Sequence, residues 1–356
     1  MYFSLEVKVK KEDFFDMERE LEALKRDLLD PNTRMIVVKG IRRTGKSSLM
    51  RVALNEVKMP HIFIDLRLTG AFSPDDIYYY FSSELSNFLN DKGLRKALSR
   101  IKGVEISGLR VEFAERKISL IGKVLEEMNR WAEGKQVVLA LDEAQELRNL
   151  RGFDKILAHV YDYCRNIKLL LAGSEVGLID RFIGLNNPNS PLFGRAFSEI
   201  TLSRLSSDRA FEFLKEGFNQ IGLKIQEDEI FDAVKKLDGI IGWLTFYGYL
   251  RGKGYSDALE RALEEGSRIT ANEFNLFLAN RQPARRRYIE ILRTLIRPST
   301  WSEVKRSLRI IANVSDKQIS NYLKELVYYG FIVKEGNIYS VADPLLIEAV
   351  RRRYIA

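Results

Sequence analysis

The run Gly40-Ile41-Arg42-Arg43-Thr44-Gly45-Lys46-Ser47 sets two glycines, a lysine and a serine at the spacing of a phosphate-binding loop. Each residue type has a task in that chemistry. Glycine lets the main chain adopt positive φ, so that successive amides turn toward one anion. The ammonium of Lys46 would meet the β- and γ-phosphates of a nucleoside triphosphate, and the Ser47 hydroxyl would ligate magnesium. A helix opening at Lys46, Ser47 and Ser48 would add its unpaired N-terminal amides to the cradle. The expected cofactor is ATP or ADP with Mg2+.

Two apolar runs end in polar residues that can serve the same ligand. Val137-Val138-Leu139-Ala140-Leu141 leads into Asp142 and Glu143. In a parallel sheet the C-terminal strand ends share the ligand edge. Asp142 would hold magnesium through water, and Glu143 would polarise the attacking water as general base. Such an acid pair is also common where a strand exits to solvent; the phosphate loop upstream is what favours the site. Leu169-Leu170-Leu171-Ala172 leads into Gly173-Ser174-Glu175. There Ser174 would stand at the γ-phosphate as a sensor, or else cap the following turn. Arg195 would donate to a γ-phosphate, in a neighbouring subunit or in its own; a surface ion pair is the alternative. The chain has no Asn-Lys-x-Asp run of the kind that reads guanine, which favours adenine.

These groups need a scaffold that gathers strand ends. Residues 35–38, 61–65, 137–141 and 169–172 are short apolar runs that suit strands buried on both faces. Helical periodicity falls between them, as at Phe14, Met17, Leu21, Leu24 and Leu28 before the break at Pro31-Asn32. Ser73-Pro74-Asp75-Asp76 reads as a helix cap, and residues 104–107 and 109–113 alternate around Gly108 as a hairpin would. The alternation implies an α/β domain with a parallel sheet, over residues 1–202. After Ile200 the strands stop. Residues 203–280 read as a helical lid with a break at Asp238-Gly239, and residues 281–284 as a linker.

Residues 281–356 read as a winged helix: three helices, then a hairpin over 331–341 around Gly336-Asn337. In such modules the third helix enters the DNA major groove. Its groove-facing candidates are Ser315, Lys317, Gln318, Ser320, Asn321 and Lys324, and residues 331–341 would be the wing. Charge points the same way. The net +8 lies wholly in this module, which has 15 Lys and Arg against 7 Asp and Glu, while the first 280 residues balance. Double-stranded DNA is the favoured partner through phosphate contacts. Residues 285–287 and 351–353, all arginine, can equally be solvated faces or pack on the preceding domains, and winged helices also contact proteins.

Composition removes other classes. No stretch approaches the ~18 apolar residues of a membrane helix, and the N-terminus lacks the order of a signal peptide. Cys164 stands alone, so neither an internal disulfide nor a thiolate zinc cluster is available, and the protein reads as cytoplasmic. Six glutamines beside 106 charged side chains is a bias of proteins from hot environments.

Together these segments resemble the archaeal ATPases of the AAA+-like, signal-transduction-type P-loop branch, over nearly the whole chain. Phe14-Phe15-Asp16-Met17-Glu18-Arg19-Glu20-Leu21 is similar to that family's Leu-Phe-Asp-Arg-Glu-x-Glu-Leu, with Met17 in place of arginine. Leu141-Asp142-Glu143-Ala144-Gln145 looks like its Walker B segment and Gly173-Ser174-Glu175 like its sensor 1. Ser190-Pro191-Leu192-Phe193-Gly194-Arg195 is similar to its Gly-Arg element. The lid segment Gly239-Ile240-Ile241 has isoleucine where the family has the proline of Gly-x-Pro. The resemblance implies ATP binding, hydrolysis that is slow or partner-stimulated, and a helical lid followed by a winged helix. The expected function is an ATP-driven switch that sets where the winged helix points. The alternative is a DNA-binding regulator or interaction scaffold in which ATP is mainly structural.

Overall fold

The computed structural model describes residues 1–66, 74–108, 110–114, 117–174, 176–185 and 187–355; Ser73, Leu109 and Glu175, named above, fall outside them. The strands are β1 (Met35–Lys39), β2 (His61–Asp65), β3 (Val104–Ser107), β4 (Arg110–Phe113), β5 (Val137–Asp142), β6 (Ile167–Gly173) and β7 (Ser198–Thr201). Five of them form one sheet in the order β2-β5-β6-β1-β7, each pair parallel, while β3 and β4 make a separate hairpin. Every residue of β1, β5 and β6 is buried, because helices cover both faces. Side chains of β1 divide by alternation: Met35 and Val37 enter the core on one face, Ile36 and Val38 the core on the other.

Register decides what meets at the ligand edge. Lys39 lies opposite Gly173 and Thr201, and Asp65 opposite Asp142. The loop after β1 therefore leaves the sheet level with the acids of β5 and with Ser174. Sequence patterning anticipates β1, β2, β5 and β6. It does not reveal β7, whose only buried residue is Ile200 and which is held by pairing with β1. Within the apolar run of β6, Lys168 is buried and donates to the carbonyls of Asp27, Leu28 and Asp30, each at 2.7 Å. It closes the C-terminal end of the helix Glu18–Leu29, where a cation is favourable.

The lid is four helices, Ser207–Gln220, Glu227–Leu237, Ile241–Gly252 and Ala258–Ala279, broken as expected at Asp238 (φ 50°) and Gly239 (φ 67°). The C-terminal module follows the winged-helix plan: helices Arg285–Thr294, Trp301–Ile311 and Asp316–Tyr328, and a sheet of β8 (Ser299–Thr300), β9 (Ile332–Glu335) and β10 (Ile338–Val341) in the order β8-β10-β9. Thr300 with Glu303 and Ser315 with Gln318 form capping boxes that start its second and third helices. A last helix, Pro344–Arg351, is not legible in the sequence. Phe274 and Phe277 of the last lid helix pack on Phe331, with ring centroids 5.1 Å apart in both pairs, so lid and winged helix share a core. No described helix is long and apolar enough to cross a membrane.

Candidate nucleotide site

The loop between β1 and the helix Lys46–Val57 has the backbone a phosphate cradle needs. Gly45 takes φ 92° and Arg43 φ 66°. Gly40 is required for a different reason: a Cβ there would lie 2.6 Å from the carbonyl oxygen of Leu202. The hydroxyl of Thr44, a buried residue, donates to the Ile41 carbonyl at 2.9 Å and braces the loop from inside. Lys46 is buried at the helix start, and its ammonium donates to the carbonyls of Gly40 (2.9 Å) and Ile41 (2.8 Å). Ser48, one residue beyond the motif, accepts from the amide of Lys8 at 3.0 Å.

Opposite the cradle, β5 delivers its acids. Ser47 Oγ donates to Asp142 Oδ2 at 2.5 Å, so the two expected magnesium-side oxygens stand together. Glu143 follows in the left-handed conformation (φ 53°), which swings its side chain out of the strand. Its Oε2 accepts from the Ser174 amide (3.0 Å), the Ser174 hydroxyl (2.7 Å) and Gln145 Nε2 (2.6 Å). Burial would raise this carboxyl, but the charge of Lys46 and the bonds from Ser174 and Gln145 hold it below the ordinary glutamate value. Sequence reasoning names Ser174 without its partner and gives Gln145 no role. Gln145 is 1% exposed, and its Oε1 has no hydrogen-bond partner among the described residues.

A cleft of about 690 Å3 opens over these groups, lined by Lys46, Ser47, Ser48, Glu143, Gln145 and Ser174 together with residues from the lid and from the first fifteen residues. In the segment before Phe14 the sequence shows only the lack of a signal peptide. The segment lies along the cleft, fixed by the Lys8 amide to Ser48 and by Phe3, 2% exposed, which is seated on Gly217 and Gly248 of two lid helices. From the lid, Ile241 occupies the family's proline place and lines the cleft, and a Cβ on Gly45 would lie 3.8 Å from its Cγ2.

The two loop arginines line the cleft and also bond beyond it. Arg43 accepts through its carbonyl from the Gly242 amide (3.0 Å), stacks over the Trp243 ring (4.3 Å), and pairs with Glu273 (2.5 Å) and Asp343 (3.5 Å). Trp243 Nε1 also donates to Asp343, at 3.0 Å. Arg42 donates to the Tyr329 carbonyl at 3.1 Å. Two adjacent loop residues thus reach the lid (Trp243, Glu273) and the winged helix (Tyr329, Asp343). Glu273 and Asp343 carry no motif, and nothing in their sequence neighbourhood marks them; Trp243 directly follows the lid segment Gly239-Ile240-Ile241-Gly242, which gives it no role.

Arg195 lies elsewhere. It pairs with Asp162 (2.5 Å), donates to the Pro191 carbonyl, and lines none of the cleft. On the winged helix, Ser315, Lys317, Gln318, Ser320, Asn321 and Lys324 are all exposed. Its arginines are less free than charge counting implies: Arg352 is held by Glu260, Glu264 and Glu348, and Arg287 donates to the Tyr322 hydroxyl.

Comparison with known proteins bears on the family and the fold. A family model described as an ATPase domain predominantly from Archaea matches residues 14–245. A model of the C-terminal winged helix-turn-helix domain of MCM proteins matches residues 282–342. Among solved structures, the Walker-type ATPase PABY2304 of Pyrococcus abyssi aligns with 99% of this chain and 100% of its own, at 34% identity and a TM-score of 0.81. The RuvB Holliday junction branch migration motor of Thermotoga maritima aligns with 95% of this chain and 96% of its own, at 14% identity and a TM-score of 0.46. No curated protein matches the chain.

Proposed function

Because the chain belongs to the archaeal ATPase family that this model describes, we propose that it hydrolyses ATP and uses the nucleotide to set the position of a winged helix that contacts duplex DNA. The observation that carries the reading is the double attachment of the phosphate loop, Arg42 to Tyr329 and Arg43 to Glu273 and Asp343. A ligand that reshapes residues 40–47 must act on those bonds, and hence on lid and winged helix together.

The donors suit the ligand. The cleft has the volume of a nucleotide site. Ser47 and Asp142 are the small set of hard oxygen ligands that magnesium takes from protein when substrate phosphates complete its shell. Bound there, the ion would supply positive charge to the β- and γ-phosphate oxygens. The chain's own groups do the rest. Lys46 has an ammonium at the loop to offer the phosphates, and the amides of residues 44–48 give the anion a helix N-terminus. Glu143, kept ionised, takes the proton of the attacking water. Ser174 and Gln145 fix its orientation. Arg195 has no part in this mechanism: it pairs with Asp162 outside the cleft, as its surface-ion-pair alternative has it. A cytoplasmic setting suits a lone, buried thiol at Cys164.

Equilibrium ATP binding and steady-state turnover test the assignment. Lys46→Ala should lose nucleotide affinity, and Glu143→Gln should keep it while turnover falls at least ~100-fold. Unchanged affinity in the first variant, or normal turnover in the second, overturns the hydrolase reading.

A further inference from the structure

A second hollow, of about 580 Å3, shares no residue with the nucleotide cleft. Its walls carry Arg148, Arg151, Lys155 and Arg181 against one carboxylate, Asp154. Arg148 is partly answered by Glu146 at 3.4 Å, but Arg151, Lys155 and Arg181 are exposed and have no ion-pair partner among the described residues. Like charges gathered in a concavity repel one another and raise the local concentration of anions.

Place identifies the anion. Tyr329, the residue after the groove-reading helix Asp316–Tyr328, closes one side of the hollow. That helix ends against the helix Val176–Phe182 so closely that a Cβ on Gly177 would lie 2.7 Å from the Tyr328 backbone. Lys324, one turn before Tyr328, is exposed on one side of this seam, and Arg181, one turn beyond Gly177, lies on the other. We propose that the hollow is a second nucleic-acid contact, taking the phosphodiester backbone of the duplex whose groove the winged helix reads. The proposal rests on the DNA reading given above and adds a site to it. An acidic peptide would answer the same charges, but the cations continue across the seam onto the groove-reading helix, as a backbone track requires.

Occupancy of this site reaches the catalytic carboxylate. Arg148 donates to the Gln145 carbonyl at 3.0 Å, and the Gln145 side chain holds Glu143. A phosphate that draws Arg148 toward the hollow acts on the residue that aims the base. DNA should therefore stimulate turnover.

The test uses the full chain with a labelled 30-base-pair duplex, followed across a salt series. Arg151→Ala/Lys155→Ala/Arg181→Ala should bind at least ~10-fold more weakly at low salt, with a log K against log salt slope shallower by roughly two to three. Its turnover without DNA should match the parent, and its stimulation by DNA should be lost. Lys317→Ala/Lys324→Ala, on the winged helix alone, checks the underlying reading separately. If the triple variant keeps the parent's affinity and slope while the double variant loses affinity, the hollow is refuted and the winged-helix reading stands. Absence of duplex binding by the parent at low salt overturns both. If the triple variant loses poly-glutamate binding but keeps DNA binding, the hollow serves an acidic protein and the assignment to nucleic acid is wrong.

Discussion

The carboxylate of Glu143 takes three hydrogen bonds on Oε2, while Oε1 receives none of them, and these bonds fix the side chain and favour its anion. Its folded carboxyl lies below the ordinary glutamate value, although burial opposes this, because Lys46, Ser174 and Gln145 favour the anion. The sign follows: stability from this group is complete above the unfolded value and is lost as pH falls through the lower, folded one. Turnover should therefore show no acid limb from Glu143 between about pH 5.5 and 8; a limb in that window that Glu143→Gln abolishes would contradict it. Ser174→Ala removes the hydroxyl bond and leaves the amide bond. It should cost about 1 kcal/mol of stability and about tenfold in kcat, with ATP affinity nearly unchanged. Equal losses in kcat and affinity would instead make Ser174 a ligand of the nucleotide. The loop is legible in the sequence because its glycines, lysine and serine have a fixed spacing, and the loop in turn singles out the acid pair at the end of β5. The partnership of Ser174 with Glu143 is not, since it joins two strands whose neighbourhood only the sheet order reveals.

At the scale of elements, legibility tracks burial on both faces. β1, β5 and β6 read as continuous apolar runs because each face meets a helix layer, whereas β7 offers a single buried side chain. The segment before Phe14 leaves no pattern, yet it lines the cleft and ties lid to loop. Phe3 is what holds it: Gly217 and Gly248 supply the flat surfaces on which its ring rests, with edge contacts to Phe213 and Phe218 at 5.7 and 4.9 Å. Phe3→Ala should lower unfolding free energy by about 3–5 kcal/mol in a denaturant titration, and it should weaken ATP binding as the segment loosens. A variant that loses stability but keeps full ATP affinity would show that the segment braces the lid without shaping the nucleotide site.

The whole molecule is joined at Arg43, whose guanidinium lies between Glu273 of the last lid helix and Asp343 at the start of the final helix. Charge counting places the +8 in the last fifth of the chain, but it cannot show that much of this charge is taken up in internal pairs such as Arg352 with Glu260. If the joint transmits nucleotide state, linkage demands reciprocity: the factor by which ATP changes DNA affinity equals the factor by which DNA changes ATP affinity. Four dissociation constants should close that cycle, and a coupling of about 1–3 kcal/mol is the usual scale. Glu273→Gln/Asp343→Asn removes both countercharges of Arg43, while the carboxamide oxygen that replaces the Asp343 carboxylate can still accept from the Leu345 amide. The coupling factor should then approach one with both intrinsic affinities retained. Since the only native cysteine is buried, a dye pair on two introduced cysteines, one on the wing and one on the sheet domain, reads the same event directly. Transfer should change with ATP in the parent and stay fixed in the double variant. A parent whose wing keeps one position with ATP, with ADP and without nucleotide is not a switch, whatever its rate of hydrolysis.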